Sequence, residues 1–108
     1  MTTTPLTLTA RAQDGGATAL ALAGELDLET ATRIEPELVR ATSRGGGHLV
    51  LDLAGLTFCD TAGVDLFMRL RRRCATDGGR LSLTRVPHRP GRVLRVLGMD
   101  RATPCTFV

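Results

Sequence analysis

Residues 48–53 read HLVLDL, a short and almost unbroken apolar run. The chain has 108 residues, enough for one compact domain with one core. In a chain of that size the run suits a central strand covered on both faces. Such a strand needs a sheet around it and helices against it, so the flanking segments decide the fold class. Residues 5–12 and 17–23 alternate or run apolar around QDGG at 13–16, which predicts a hairpin of two strands. Downstream, Ala31, Ile34, Leu38 and Ala41 recur at helical spacing, and Gly45–Gly47 stop the element. Pro36 falls inside this helix, expected near 30–43. Proline lacks an amide and crowds the preceding turn, so the helix is expected to start late, near Thr30 or Thr32, or to kink.

After the central run, AGLTF leads into CDTAG, and residues 62–75 then carry a helical pattern. At 100° per residue, Gly63, Leu66, Phe67, Leu70 and Cys74 share one face. Asp65, Arg69, Arg72 and Arg73 take the other, while Val64 and Met68 fall on the flanks, where a partner could touch them. DGG at 77–79 turns the chain, RLSLTRV at 80–86 alternates as a strand, and a last helix is expected over 90–98. Pro90 lies near its start and Gly98 forms its stop. CTFV at the end reads as a final short strand. The order of elements predicts an α/β fold in a single domain spanning 1–108, with a four- to five-stranded mixed sheet and helices packed on it.

Composition removes several classes of function. No apolar run approaches the ~20 residues of a membrane span, so no membrane insertion is expected. MTTTPLTLTARAQ lacks the basic region and long apolar stretch of a secretion signal, which predicts a cytoplasmic protein. All basic residues are arginine and the net charge is +3, a balance that permits a nucleic-acid partner without implying one. With three phenylalanines and no Trp or Tyr, a base-stacking platform is lacking, and no nucleic-acid partner is expected. Cys59, Cys74 and Cys105 are odd in number and far apart, which reads as small buried hydrophobes rather than a disulfide framework or metal site. No metal and no cofactor is expected.

Catalytic readings fare poorly. Cys59 precedes a helix start, where a thiolate could be stabilised, but Asp65 stands where a cysteine phosphatase would need arginine. His48 and His88 are far from Cys59 in sequence, and no nucleophile elbow is present. Ala62 interrupts what would be an aspartic-protease DTG. GGGHL precedes a strand, whereas a phosphate-cradling loop follows one and opens a helix. RLRRR at 69–73 reads as a solvated helix face, with Asp65 and Arg69 as an i,i+4 pair. The chain is expected not to be an enzyme.

CDTAG at 59–63 carries two readings. Asp60 is a good N-cap, since its carboxylate can accept amide bonds from Ala62 or Gly63; a capped strand–helix turn is one reading. The other places the Thr61 hydroxyl at an exposed helix tip near unpaired amides, where a phosphate is favoured. Gly63, without a side chain, would leave another molecule room to approach the backbone.

The chain resembles the STAS domains, and among them the stand-alone anti-sigma factor antagonists of bacteria. GELDLETA (24–31), HLVLDLAGLTFCDTAGVDLFMRL (48–70), GGRLSLTRV (78–86) and VLRVLGMDR (93–101) carry the resemblance in order. It implies a partner switch. The antagonist binds an anti-sigma factor that is also a serine/threonine kinase of the histidine-kinase-type ATPase fold, and so frees a sigma factor. The kinase phosphorylates the hydroxyl residue after the motif aspartate, and a serine/threonine phosphatase resets it. By this resemblance Thr61 is the phosphorylated residue, with Asp27, Asp60, Ala62 and Gly63 as its neighbours. Thr61 replaces the usual serine, Ala62 a usual second hydroxyl, and Pro36 interrupts the first helix. Two other roles stay open: a STAS subunit that is never phosphorylated, in a transporter or signalling complex, and a ligand- or nucleotide-binding STAS module.

Overall fold

The computed structural model describes residues 5–11, 15–44 and 46–108. Five strands form one sheet in the order of the sequence: β1 (Thr7–Ala10), β2 (Thr18–Leu26), β3 (Leu49–Cys59), β4 (Leu81–Val86) and β5 (Cys105–Phe107). β1 runs antiparallel to β2, and the other neighbouring pairs are parallel. The crossovers are α1 (Leu28–Arg44), α2 (Thr61–Thr76) and α3 (His88–Val96), the last followed by the one-turn helix α4 (Met99–Ala102). The expected α/β domain with a mixed sheet is what forms.

Crossovers between parallel strands are right-handed, and here the strand order advances steadily in one direction. Successive helices therefore gather on one face. The sequence of β2 records this: Leu20, Leu22 and Leu26 are buried, while Ala19, Ala21 and Ala23, at the alternate positions, are half-buried. On the leucine face, Ala31, Ile34 and Leu38 of α1 meet Leu66, Phe67 and Leu70 of α2 in the core. On the other face lie small and polar side chains in register, with Thr9 beside Ala21, Ala21 beside Asp52 and Asp52 beside Thr84. Arg11 and Arg85 pair with Asp52 from that side.

Several boundaries differ from expectation. α1 begins at Leu28, before Thr30, because Asp27 and Thr30 cap it reciprocally. Asp27 Oδ1 accepts from the Thr30 amide at 2.9 Å, and the Asp27 amide donates to Thr30 Oγ1 at 2.9 Å. Pro36 lies within the helix and does not delay its start. Pro36 and Thr32 are both exposed, so water can solvate the Thr32 carbonyl that the missing amide would have bonded. α3 begins at His88, two residues before the expected start, and Pro90 lies near that start as its third residue, a position where an amide has no intrahelical acceptor in any case. Gly98, at φ 80°, stops that helix as expected. The predicted turn at 13–16 falls partly outside the described residues, as does Gly45 of the expected stop.

β3 outruns the expected six residues by continuing to Cys59. Two register shifts against β2, between Ala21 and Ala23 and between Gly24 and Glu25, each insert an extra residue on β3. These bulges break the alternation, so Leu53, Leu56 and Cys59 are buried at a spacing of three. Beyond Asp52 the strand has no β4 partner in the register, and α3 packs against β3.

Candidate functional site

The parallel strands β2 and β3 end side by side. Leu26 and Cys59 are register partners, and the Asp60 amide donates to the Leu26 carbonyl at 3.3 Å. Asp27 and Asp60 are the next residues on strands ~4.8 Å apart, so the topology brings both acids to one edge of the sheet. Each then caps the helix it precedes. Asp60 Oδ1 accepts from the Ala62 amide at 3.0 Å and the Gly63 amide at 3.2 Å. The hydrogen bonds from the Thr30 amide and hydroxyl hold the Asp27 carboxyl below its ordinary range.

Thr61 is the first residue of α2 and is exposed. Its hydroxyl has no hydrogen-bond partner among the described residues. The amides expected to stand free beside it are not free, because Asp60 has taken those of Ala62 and Gly63. Gly63 is also corrected: it is buried, and a Cβ there would lie 2.6 Å from Cys59 Sγ and 2.9 Å from Leu26 Cδ2. Its missing side chain seats α2 on the strand ends and leaves no opening for another molecule.

Of the two flanking residues, Val64 is 3% exposed and belongs to the core. The bulged end of β3 and the α1–α2 packing wrap more of α2 than a single stripe, so Val64 has no surface to offer a partner. Met68 is half-buried against the core with part of its side chain open. Arg69 also departs from expectation. Its hydrogen bonds go to Glu35 of α1 as a two-bond fork, at 3.0 and 2.9 Å, while Asp65 acts on it through charge attraction without a hydrogen bond.

Sequence reasoning missed the apolar surroundings. Leu28 follows Asp27 and is exposed, and Phe58, two residues before Asp60, is 46% exposed. Thr61 also shares a groove of about 480 Å³ with Arg89, Arg92, Val93, Val96 and Leu97 of the α3 segment. Val96 is 81% exposed. A signal existed: Val93, Leu94, Val96 and Leu97 span more of a helix than one sheet face can cover.

The surroundings of Cys59 disfavour a thiolate at neutral pH. Burial, and then the neighbouring Asp60 charge, push its thiol up to about 12. Among the described residues no cluster of His, Cys, Asp and Glu could hold a metal ion, and no helix is long and apolar enough to cross a membrane.

An anti-sigma factor antagonist from Mycobacterium paratuberculosis superposes with a TM-score of 0.77 at 20% identity, over 93% of this chain and 86% of that one. A STAS-domain anti-sigma-factor antagonist protein from Planctomyces limnophilus gives 0.75 at 18% identity, over 93% and 91%. The Bacillus cell fate determinant SpoIIAA in its phosphorylated form gives 0.67 at 20% identity, over 92% and 90%. At these identities the likeness establishes the fold. No protein of curated function matches the chain. The sequence profile described as "Mlab, STAS domain" matches residues 9–108, nearly the whole length, and the chain therefore belongs to the STAS domain family.

Proposed function

We propose that the protein is an anti-sigma factor antagonist without catalytic activity. In this reading it binds an anti-sigma factor kinase through the edge around Thr61 and is released when that kinase phosphorylates Thr61. The observation that carries the reading is the placement of Thr61. It is an exposed hydroxyl without a hydrogen-bond partner among the described residues, at the start of α2, beside two carboxylates and among exposed apolar side chains. Family membership, the antagonists of the same fold, and the phosphorylated form of SpoIIAA, which is itself an anti-sigma factor antagonist, support it.

Phosphorylation adds a charge of about −1.5 to −2. Next to Asp27 and Asp60, that charge opposes burial of the edge beneath a partner unless a cation accompanies it. The test is incubation with the candidate kinase and ATP, followed by mass spectrometry. Phosphate on Thr61 is expected; an unmodified protein under conditions where the kinase is active refutes the switch. In that event the same edge serves a STAS subunit that docks without modification, a role consistent with a matching profile described as Mlab rather than as an antagonist.

A further inference from the structure

We propose that Arg89 and Arg92 form an internal receiver for a phosphate carried on Thr61, so that modification clasps the start of α2 to α3 across the groove they share. The inference rests on the reading of Thr61 as the modified residue.

The usual seat of a phosphate at a helix start is its free amides, and here Asp60 already occupies those of Ala62 and Gly63. The nearby carboxylates repel a phosphate: Asp60 and Asp27 at the strand ends, and Asp65 one turn along α2 from Thr61. The groove beside Thr61 has the opposite character. Its charged lining is Arg89 and Arg92, and its walls are Val93, Val96 and Leu97. At i and i+3 on α3, the two arginines share a face.

Both arginines are exposed, and neither has an ion pair or hydrogen bond among the described residues. Arg11 and Arg85 are engaged with Asp52, Arg69 with Glu35, Arg71 with the Ala102 carbonyl, and Arg95 over the Phe107 ring. Arg40, Arg44, Arg72, Arg73, Arg80 and Arg101 likewise make no ion pair or hydrogen bond among the described residues, but none of them lines the groove beside Thr61. Guanidinium forks match phosphate oxygens in planar, two-bond geometry, and apolar walls strengthen such bonds by excluding water. Repulsion from the strand ends and attraction from α3 therefore act in the same direction. A closed clasp covers Val93, Val96 and Leu97, so a partner loses apolar contact surface as well as meeting new charge.

The test places phosphothreonine at position 61 during synthesis, in the otherwise unaltered protein and in an Arg89→Gln, Arg92→Gln variant. Phosphorus NMR then follows the second ionisation of the phosphate, ordinarily near pH ~6. Asp27, Asp60, Asp65 and His88 are common to both proteins, so the difference reports the two arginines. Guanidiniums in contact favour the dianion, and ionisation is expected at least about half a pH unit lower with the arginines present. Equal values in the two proteins overturn the proposal. A melting curve checks that the double variant is folded, and the single variants replace it if it is not. Because the phosphate is built in, the result does not depend on any kinase. A kinase that never modifies Thr61 would remove the proposed switch and leave this contact measurable.

Discussion

Asp60 bonds two of the amides at the start of α2, and the Thr61 hydroxyl is left without a hydrogen-bond partner among the described residues. This division predicts different outcomes for neighbouring substitutions. Thr61→Ala is expected to change stability by less than about 1 kcal/mol and to bind the anti-sigma partner with or without ATP. Thr61→Glu is expected to bind much more weakly, and the unaltered protein to pass from the first behaviour to the second once exposed to kinase and ATP. Equal binding by all three in a titration would reduce Thr61 to a turn residue. Gly63→Ala is a packing test. Its methyl would press on Cys59 and Leu26, and a loss of about 1–3 kcal/mol in denaturant unfolding is expected. The cap at Asp60 was legible, because an acid directly before a helical pattern has one common use. The role of Gly63 was not legible, since nothing local in CDTAG says that Leu26, on another strand, lies against it.

The periodic helices α1, α2 and α3 could be read along with the strands because their buried stripes face one sheet. Leu66, Phe67, Leu70 and Cys74 line up on one face only when the segment winds as a helix. The length of β3 could not be read. Its bulges replace alternation by a spacing of three, a signal intermediate between strand and helix. The start of α1 was displaced for a related reason: Pro36 is conspicuous in sequence, whereas the cap between Asp27 and Thr30 is a pairing seen in three dimensions. The same limit separates Val64 from Met68, which the pattern places alike on the flanks of α2 and the fold does not. Met68→Asp is expected to leave a folded protein that binds its partner at least about tenfold more weakly, a loss of ~1.4 kcal/mol or more. Val64→Asp buries an unpaired carboxylate and is expected to unfold the domain or lower its melting temperature sharply. Retained binding by a folded Met68→Asp protein would move the interface off α2.

Across the whole molecule, ionisable groups of two kinds confine stability to an intermediate pH range. Bonds from Arg85, Arg69 and Thr30 hold the carboxyls of Asp52, Glu35 and Asp27 below their ordinary range. A depressed carboxyl stabilises the fold fully above its unfolded pKa, and that contribution fades as pH falls through the folded value, so an acid limb is expected below about pH 4. The thiols act in the opposite sense. Burial raises Cys59 to about 12 and Cys74 and Cys105 to about 11. Above about pH 8.5 the unfolded chain loses thiol protons that the folded protein keeps, so stability falls by up to about 1.4 kcal/mol per pH unit for each thiol. Urea unfolding across a pH series is expected to show a plateau near neutrality with a decline on each side. Asp52→Asn removes one depressed carboxyl and its pairing with Arg11 and Arg85; it should lower the plateau and flatten the acid limb while leaving the alkaline one. Cys74→Ala removes one raised thiol and should flatten the alkaline limb alone. An alkaline limb that keeps its slope in Cys74→Ala would mean that the Cys74 thiol ionises as readily in the folded chain as in the unfolded one, and that it is not sealed in the core.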